Sequence, residues 1–189
     1  RLFALNLIPS DDIPRYVWEG RILLEGYNPF AIPPEDPRLV PFRDEGYPRL
    51  NHKDMPAIYP PVAQYVFMGL SVLTHRVEDY RLFLLMVECV AIGLMFRWVK
   101  TLGLPRERVM IYAFNPLVVV GIAGHGHMDS LQILFVVWAL VCHANRRPGA
   151  AMALVTLAGL VKFLAFFALP FLVNKRTFKY LPLCLGIVV

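Results

Sequence analysis

Apolar stretches recur along the second part of the chain, separated by short polar connections. They cover residues 62–74, 82–99, 109–123, 131–143, 150–173 and 181 onward. A helix needs about 20 mainly apolar residues to cross a bilayer, and about 17 is the lower bound. The 82–99 stretch meets this length, and flanking residues extend 109–123 and 131–143 toward it. The pattern predicts a series of membrane-spanning helices.

Two of the other apolar stretches do not fit a simple span. Residues 62–74 follow two prolines and are too short, which favours an interfacial or re-entrant helix. Residues 150–173 contain Lys162 near their middle and are followed by further cations. They therefore form either a hairpin of two short helices or one span that breaks the charge rule. Residues 1–8 are interpreted as the end of a first transmembrane helix.

The composition supports a membrane protein. Hydrophobic residues make up 57% of the 189 positions and charged residues 17%, against roughly 45–50% and 25% in soluble domains. In such a protein the net charge of +5 marks cytoplasmic loops rather than nucleic-acid binding. The three cysteines are far apart, so no disulfide framework or zinc motif follows. The chain starts at Arg1 and stops within an apolar run, so we expect a fragment of a longer polytopic protein.

Residues 9–56 differ sharply from the rest, because they hold most of the acids and many prolines. A loop of this size is usually functional. Nine of the fourteen acidic residues lie here: Asp11, Asp12, Glu19, Glu25, Glu35, Asp36, Asp44, Glu45 and Asp54. Pro14 suits a first helical turn, so we expect a short helix around residues 13–25, capped by Asp11 or Asp12.

The cations predict how the chain crosses the membrane. The connections at residues 97–108 and 146–147 are basic, which places both on the cytoplasmic side. The turn at residues 124–130 then faces outward. Residues 9–56 face outward as well if residues 62–74 do not cross, and we prefer this topology. The acidic loop and the turn would then share one membrane face.

The first group of candidate functional residues lies at the start of the acidic loop. On a helix, Asp12, Arg15 and Glu19 fall on one face. An acid and a cation at the membrane surface suit a polar head group and its reacting hydroxyl. The structural alternative is a capping aspartate and a surface ion pair.

The second group is the turn with the sequence Gly124-His125-Gly126-His127-Met128-Asp129. Its glycines allow a tight turn and the close approach of another group. An ionisable residue at membrane depth, such as Asp129, is functional by default. Its structural alternative is a cap on the helix from Ser130. His127 and Asp129 could hold a metal, but this spacing is weak evidence for one.

Further candidates are Lys162, His52 and Tyr59. A lysine within an apolar stretch must find an anion or water, so Lys162 either meets a lipid phosphate or pairs internally with Glu88 or Asp129. His52 and Tyr59 are candidate substrate contacts. For Tyr59, which precedes two prolines, the structural interpretation as an aromatic anchor at head-group level is stronger.

Taken in order, these motifs resemble one enzyme family. The ordered set is Asp-Asp-x-x-Arg-Tyr-x-Trp-Glu-Gly-Arg from Asp11, Gly26-Tyr27-Asn28-Pro29-Phe30, Tyr47-Pro48-Arg49-Leu50-Asn51-His52, Ile58-Tyr59-Pro60-Pro61-Val62-Ala63-Gln64, Asn115-Pro116-Leu117 and Gly126-His127-Met128-Asp129. It is similar to polyprenol-phosphate-sugar-dependent glycosyltransferases of the C superfold, above all to bacterial polyprenyl-phosphate-mannose α-mannosyltransferases. The first mannosyltransferase of glycolipid-anchor synthesis is similar in layout. The resemblance covers about residues 9–175.

The resemblance implies an all-α polytopic membrane protein, here the N-terminal part of such a fold. Residues 9–61 would form a large extracytoplasmic catalytic loop with short juxtamembrane helices. Residues 62–74 would be the interfacial or re-entrant helix, and residues 80–189 the transmembrane helices. It further implies an integral protein of a bacterial inner or plasma membrane, with its active site on the outer face.

The resemblance also assigns candidate site residues. Asp12 matches the family's catalytic aspartate, with Asp11 as the alternative, and Asp129 matches a second catalytic acid. Lys162 is similar in place to a lysine that binds the donor phosphate. Beside these, the candidate substrate contacts are Arg15, Arg21, His52, Tyr59, His125 and His127. His125 and His127 stand where relatives often carry other polar residues, so a divalent metal stays an open question.

The chemistry of a phosphate leaving group is consistent with these candidate residues. A phosphate can depart without a protonating acid if cations such as Arg15, Arg21 or Lys162 stabilise its charge. One carboxylate then suffices as general base on the acceptor hydroxyl, whereas glycosidases need two. The predicted partners are a polyprenyl-phosphate sugar donor, most simply of mannose, a lipid or glycan acceptor, and membrane lipids.

Three alternatives remain at this stage. The same carrier could bring another sugar, because nothing in the sequence reads the sugar. A transporter or lipid-linked-sugar flippase could use Glu88, Asp129 and Lys162 as its path, although no inverted repeat is visible. Haem binding through His125 and His127 would need facing histidines on other helices, and the one further candidate, His143, lies at the opposite end of its span.

Overall fold

The computed structural model describes residues 1–173, 175 and 177–188, and every regular element in this part of the chain is helical. These described residues form nine α-helices: α1 Asp12–Leu24, α2 Pro61–Ser71, α3 Val77–Thr101, α4 Val109–Ala113, α5 Pro116–Val118, α6 Asp129–Ala144, α7 Pro148–Gly159, α8 Leu169–Leu172 and α9 Leu181–Val188. The 3-10 helices are Leu2–Asn6, Pro37–Phe42, Tyr47–Arg49, Arg106–Arg108, Phe163–Ala168 and Phe178–Tyr180, and Val119–Gly124 is a π-helix.

One helix in the described residues is long and apolar enough to cross a membrane by itself, namely α3. A second crossing is possible if the pair Arg106–Ala113 and Pro116–Gly124, bent by 54°, forms one span. The bend has a local cause at Asn115-Pro116. Proline lacks the N–H of a continuing helix, and the Asn115 side chain accepts a 2.9 Å bond from Leu117 N, which starts a new helix. The single helix expected over residues 109–123 is therefore broken.

The other apolar stretches form short helices. The 62–74 stretch gives the eleven-residue α2, shorter than a span. The 150–173 stretch breaks where α7 ends at Gly159, and Lys162 has an extended backbone with φ −154°. Of the two alternatives for this stretch, the structure has separate short helices.

The helix expected around residues 13–25 is confirmed as α1. Its cap is not an aspartate, however, because neither Asp11 nor Asp12 makes a side-chain capping bond. Ser10 Oγ instead accepts a bond from Asp12 N at 3.2 Å.

The core beneath the acidic loop joins α1, α2, α3 and the start of α6. The rings of Tyr16 and Phe67 stack at 4.6 Å, and Tyr80 O–H donates to the Phe67 carbonyl at 2.9 Å. Fully buried Ile13 and Met128 complete this cluster from α1 and the turn before α6. The core therefore fixes the start of α1 against the turn at residues 124–130.

Candidate active site

Asp12 is the first residue of α1, where the helix dipole favours a negative charge. Its Oδ1 accepts a bond from Asn51 Nδ2 at 3.2 Å, and its Oδ2 lies 3.5 Å from His127 Nδ1. The bond with His127 is the main cause that lowers the pKa of Asp12, against a smaller raising effect of burial. The same bond raises the pKa of His127. The structure thus favours an Asp12 carboxylate beside an imidazolium.

The turn reaches α1 through backbone contacts that depend on glycine. Ser10 N donates to the His125 carbonyl at 3.0 Å. Gly126 has φ +77°, and a Cβ there would overlap the side chain of Ile13. The predicted use of glycine for close approach is confirmed at this position, and the acidic loop and the turn share one end of the helices.

Arg15 and Glu19 form a buried pair one helical turn below Asp12. Arg15 Nε donates to Glu19 at 2.6 Å, and Gln64 Nε2 donates to the second Glu19 oxygen. Burial raises the pKa of Glu19, and the bonds to Gln64 and Arg15 oppose that effect.

The remaining Arg15 donors hold the loop that faces α1. Nη1 donates to the carbonyls of Asn51 at 3.3 Å and His52 at 2.6 Å, and Nη2 donates to the Met55 carbonyl. Arg15 therefore holds the loop segment whose Asn51 side chain reaches Asp12.

A cavity of about 190 Å³ lies between α1 and this loop. Its walls are formed by Asp12, Arg15, Glu19, Asn51, His52, Met55, Pro56, Ile58 and Tyr59. The predicted candidates Asp12, Arg15, His52 and Tyr59 thus line one space. The Tyr59 hydroxyl accepts a 3.4 Å bond from Tyr16, and burial raises its pKa to about 12, so both phenols stay neutral donors.

Asp129 and Lys162 form an ion pair next to the His127 turn. Lys162 Nζ lies 2.8 and 3.0 Å from the two Asp129 oxygens, and both side chains are partly exposed. Asp129 is the first residue of α6 and does not cap it. Of the two internal partners considered for Lys162, the structure selects Asp129. Glu88 is fully buried and pairs with Arg1 instead.

Three other candidates lie outside the cavity. Arg21 donates to Asp44 at 2.6 Å beside a second cavity of about 340 Å³. Asp11 is exposed, and the His125 ring stands 6.0 Å from the His127 ring. Of the three residues Asp12, Asp11 and Arg21, only Asp12 lines the cavity of about 190 Å³.

Among the described residues, no group of three or more His, Cys, Asp or Glu side chains is placed to hold a metal ion. His127 and Asp129, the two candidates from the sequence, face Asp12 and Lys162 respectively. A cation on Asp129 disfavours a second one there. The part of the chain that the structure describes therefore does not form a metal site by itself.

Sequence reasoning missed the roles of Asn51, Gln64 and Arg81. Asn51 and Gln64 lay within recognised motifs but gave no sign of their partners. Arg81 is buried near the start of α3, and its only signal was a charge beside an apolar stretch.

Comparison with known proteins identifies the family. A family model described as alpha-(1->6)-mannopyranosyltransferase, N-terminal domain, matches residues 2–176. No curated protein and no solved structure matched the chain. The family match confirms the resemblance seen in the motifs and decides for a hexosyltransferase over a transporter. The chain belongs to the MptA/B family of membrane alpha-(1->6)-mannopyranosyltransferases.

Proposed function

We propose that the protein transfers mannose from a polyprenyl-phosphate donor to a hydroxyl of a lipid or glycan acceptor, at the outer membrane face and with inversion. The observation that carries this proposal is the Asp12 carboxylate, which lines a cavity and is kept charged by His127. A charged, partly buried carboxylate in the wall of a sugar-sized cavity suits a general base.

In the proposed step, Asp12 takes the proton from the acceptor hydroxyl. The acceptor oxygen attacks the anomeric carbon of mannose, and the bond from that carbon to the phosphate oxygen breaks. The electron pair leaves with the polyprenyl phosphate. One displacement of this kind inverts the anomeric centre, and no second carboxylate is needed because a phosphate is a good leaving group.

We infer that Lys162 stabilises the departing phosphate, as a cation fixed where negative charge develops. Its partly exposed ion pair with Asp129 can open toward a phosphate, and Asp129 is then free to orient the acceptor. Arg15 is a weaker candidate for the phosphate, because the structure engages its guanidinium with Glu19 and three loop carbonyls. We propose His52 and Tyr59 as sugar contacts and assign Arg21 no role at the reacting atoms.

The placement in the membrane rests on charge. The cations of residues 97–108 and 146–147 lie at the ends of α3 and α6 opposite to Asp12 and Asp129, and basic loops remain cytoplasmic. Asp12 then faces the outer side, where a sugar on a lipid carrier is held at the membrane surface. This geometry supports a lipid-linked donor over a soluble nucleotide sugar.

The test uses the full-length protein in membranes with labelled polyprenyl-phosphate-mannose. We expect label on a lipid or glycan product, in an alpha-(1->6) linkage opposite in configuration to the donor. A parallel reaction with labelled GDP-mannose, in membranes unable to make the lipid donor, should give none. Transfer from GDP-mannose alone would contradict the proposal, and transfer with retention would contradict direct displacement.

A further inference from the structure

Arg81 is a buried cation, and Glu78, which lies one helical turn earlier and is exposed, acts on it electrostatically without forming an ion pair. Its exposed fraction is 5%, and within residues 1–173, 175 and 177–188 no carboxylate forms an ion pair with it. A buried charge without a counter-charge is costly. Such a residue needs another source of stabilisation, and its position near the start of α3 places it directly below the candidate active site.

Backbone carbonyls supply that stabilisation. Arg81 Nη2 donates to the carbonyl oxygens of Gly124 at 2.5 Å, Leu7 at 3.1 Å and Ala4 at 3.4 Å. Gly124 ends the π-helix Val119–Gly124, and Leu7 follows the 3-10 helix Leu2–Asn6. The carboxyl end of a helix carries a partial negative charge. One guanidinium therefore binds the ends of two segments that lie far apart in sequence.

Both segments lead directly to the site. The chain after Leu7 reaches Ser10 and then Asp12, and the chain after Gly124 forms the turn with His127 and Asp129. The methylene stem of Arg81 also packs under this turn, since a Cβ on Gly126 would lie 2.9 Å from Arg81 Cγ and would overlap Ile13. Arg81 thus contacts the two backbone segments whose alignment sets the distance from Asp12 to His127.

We propose that Arg81 is a positioning residue for mannosyl transfer, which holds the start of α1 and the His127 turn in the alignment that the reaction needs. The proposal rests on the proposed role of Asp12 as the base, but on no particular sugar or acceptor. It predicts an effect on the alignment of Asp12 and His127 beyond any effect on folding.

The test compares Arg81→Gln with Arg76→Gln in the full-length protein. Arg76 precedes the same helix and is exposed. Its ion pair with Glu78 is loose, because the closest nitrogen and oxygen atoms are 3.9 Å apart. Two readouts are needed: steady-state transfer, and the pH at which the His127 ring becomes reactive to diethyl pyrocarbonate, followed by peptide mass spectrometry. Only neutral imidazole reacts, so the second readout follows the protonation of His127. The charged groups that act on it are Asp12, Asp129 and Lys162, and the titratable ring of His125 stands 6.0 Å from it.

Arg81→Gln should lower kcat by roughly ten- to a hundredfold with a much smaller change in KM, because small misplacements cost that much. It should also move the His127 midpoint to lower pH, since the bond with Asp12 that holds the proton is weakened. Arg81→Lys, which keeps the charge but loses the forked donor geometry, should fall between wild type and Arg81→Gln. Arg76→Gln should match wild type in both readouts.

An unchanged kcat and an unchanged His127 midpoint in Arg81→Gln would overturn the proposal. A lower melting temperature with the His127 midpoint unchanged would overturn it as well, since Arg81 would then only support folding. If Arg81→Gln does not fold, Arg81→Lys gives the same two readouts. If the wild type itself transfers no mannose, the proposed function fails, and the His127 midpoint alone then decides on Arg81.

Discussion

Asp12 and His127 come from segments more than a hundred residues apart, and each sets the charge of the other. Their contact lowers the pKa of Asp12 and raises the pKa of His127. The ion pair therefore exists between the two shifted pKa values. It is lost on acidification, when Asp12 takes up a proton, and on alkalinisation, when His127 loses one.

This coupling predicts a shift in the pH profile of His127→Gln. Without the imidazolium, the largest cause that lowers the pKa of Asp12 is gone and burial still raises it. The acidic limb of the kcat/KM profile should therefore move to higher pH, because the free enzyme's base titrates there. The exposed His75 provides the control, since His75→Gln should leave that limb in place. An unmoved limb in His127→Gln would show that His127 does not act on the base.

Lys162 carries the second prediction at this scale. Lys162→Met should lower kcat/KM for the lipid donor by roughly ten- to a hundredfold, since charge-assisted bonds contribute about 1.5–3 kcal/mol. Lys162→Arg keeps the charge and should recover part of the loss. Lys100→Met should have little effect, because Lys100 lies in the last turn of α3, at the end of the helices away from Asp129 and Lys162. If Lys162→Met transferred mannose as fast as wild type, the donor phosphate would need another cation.

The candidates that sequence reasoning proposed and that the structure brings to one end of the helices are residues whose charge is costly in an apolar setting. Asp12, Asp129 and Lys162 stand at the edges or within apolar stretches, where a charge calls for a function. Asn51 and Arg81 were not found, because their roles depend on carbonyls and carboxylates brought near by the fold. Arg15 shows the same limit: its charge was noticed, but its engagement with the 51–55 loop is a tertiary property.

At the scale of elements, α1 and α2 pack closely through a glycine. A Cβ on Gly20 would overlap the Phe67 carbonyl and lie 2.6 Å from Ser71 Oγ. The Phe67 carbonyl belongs to the backbone of α2, and both it and Ser71 Oγ are hydrogen-bonded to the buried Tyr80 hydroxyl. Displacing either group would therefore cost free energy. This contact holds the cavity-bearing helix against the core.

Gly20→Ala should therefore destabilise the protein, by about 1–3 kcal/mol as is typical for overpacking. Gly69→Ala in α2 is the matched control, since its Cβ would meet nothing within 4 Å. An alanine in an exposed helical position gains roughly 0.5–1 kcal/mol over glycine. The melting temperatures of the purified variants should thus move in opposite directions. A Gly20→Ala protein as stable as wild type would contradict the close packing of the two helices.

Helices were predicted correctly where the length of an apolar stretch determines the helix. They were predicted less well where a proline and a capping side chain break the helix. The 82–99 stretch became α3, and the helix expected around residues 13–25 became α1. The 109–123 stretch was expected as one helix, yet Asn115-Pro116 breaks it by removing one donor and capping the next turn. Hydrophobic periodicity alone does not register such a break.

At the scale of the whole molecule, the candidate site residues and the basic connections lie at opposite ends of the helices. Asp12, His127, Asp129 and Lys162 gather at one end, and the basic connections lie at the other. Sixteen residues of α6 separate these ends by about 24 Å. The sequence predicted this sorting from the positive-inside rule, and the contact of His127 with Asp12 shows that the loop and the turn share one end.

The orientation of these ends predicts a labelling pattern. In a variant with its cysteines replaced, Asp54→Cys should react with a membrane-impermeant maleimide in intact cells. Arg106→Cys, in the basic connection, should react only after the membrane is permeabilised. The reverse pattern would place the cavity on the cytoplasmic side and would contradict an outer active site.

The most direct test of the account compares Asp12→Asn with Asp11→Asn in transfer from labelled polyprenyl-phosphate-mannose by the full-length protein. The amide keeps the shape of the side chain but cannot accept the acceptor's proton, so Asp12→Asn should lose about 10²–10⁴-fold in kcat. The exposed neighbour Asp11 tests the alternative base, and Asp11→Asn should stay close to wild type. Transfer retained by Asp12→Asn, or lost in Asp11→Asn instead, would contradict the assignment of Asp12 as the general base.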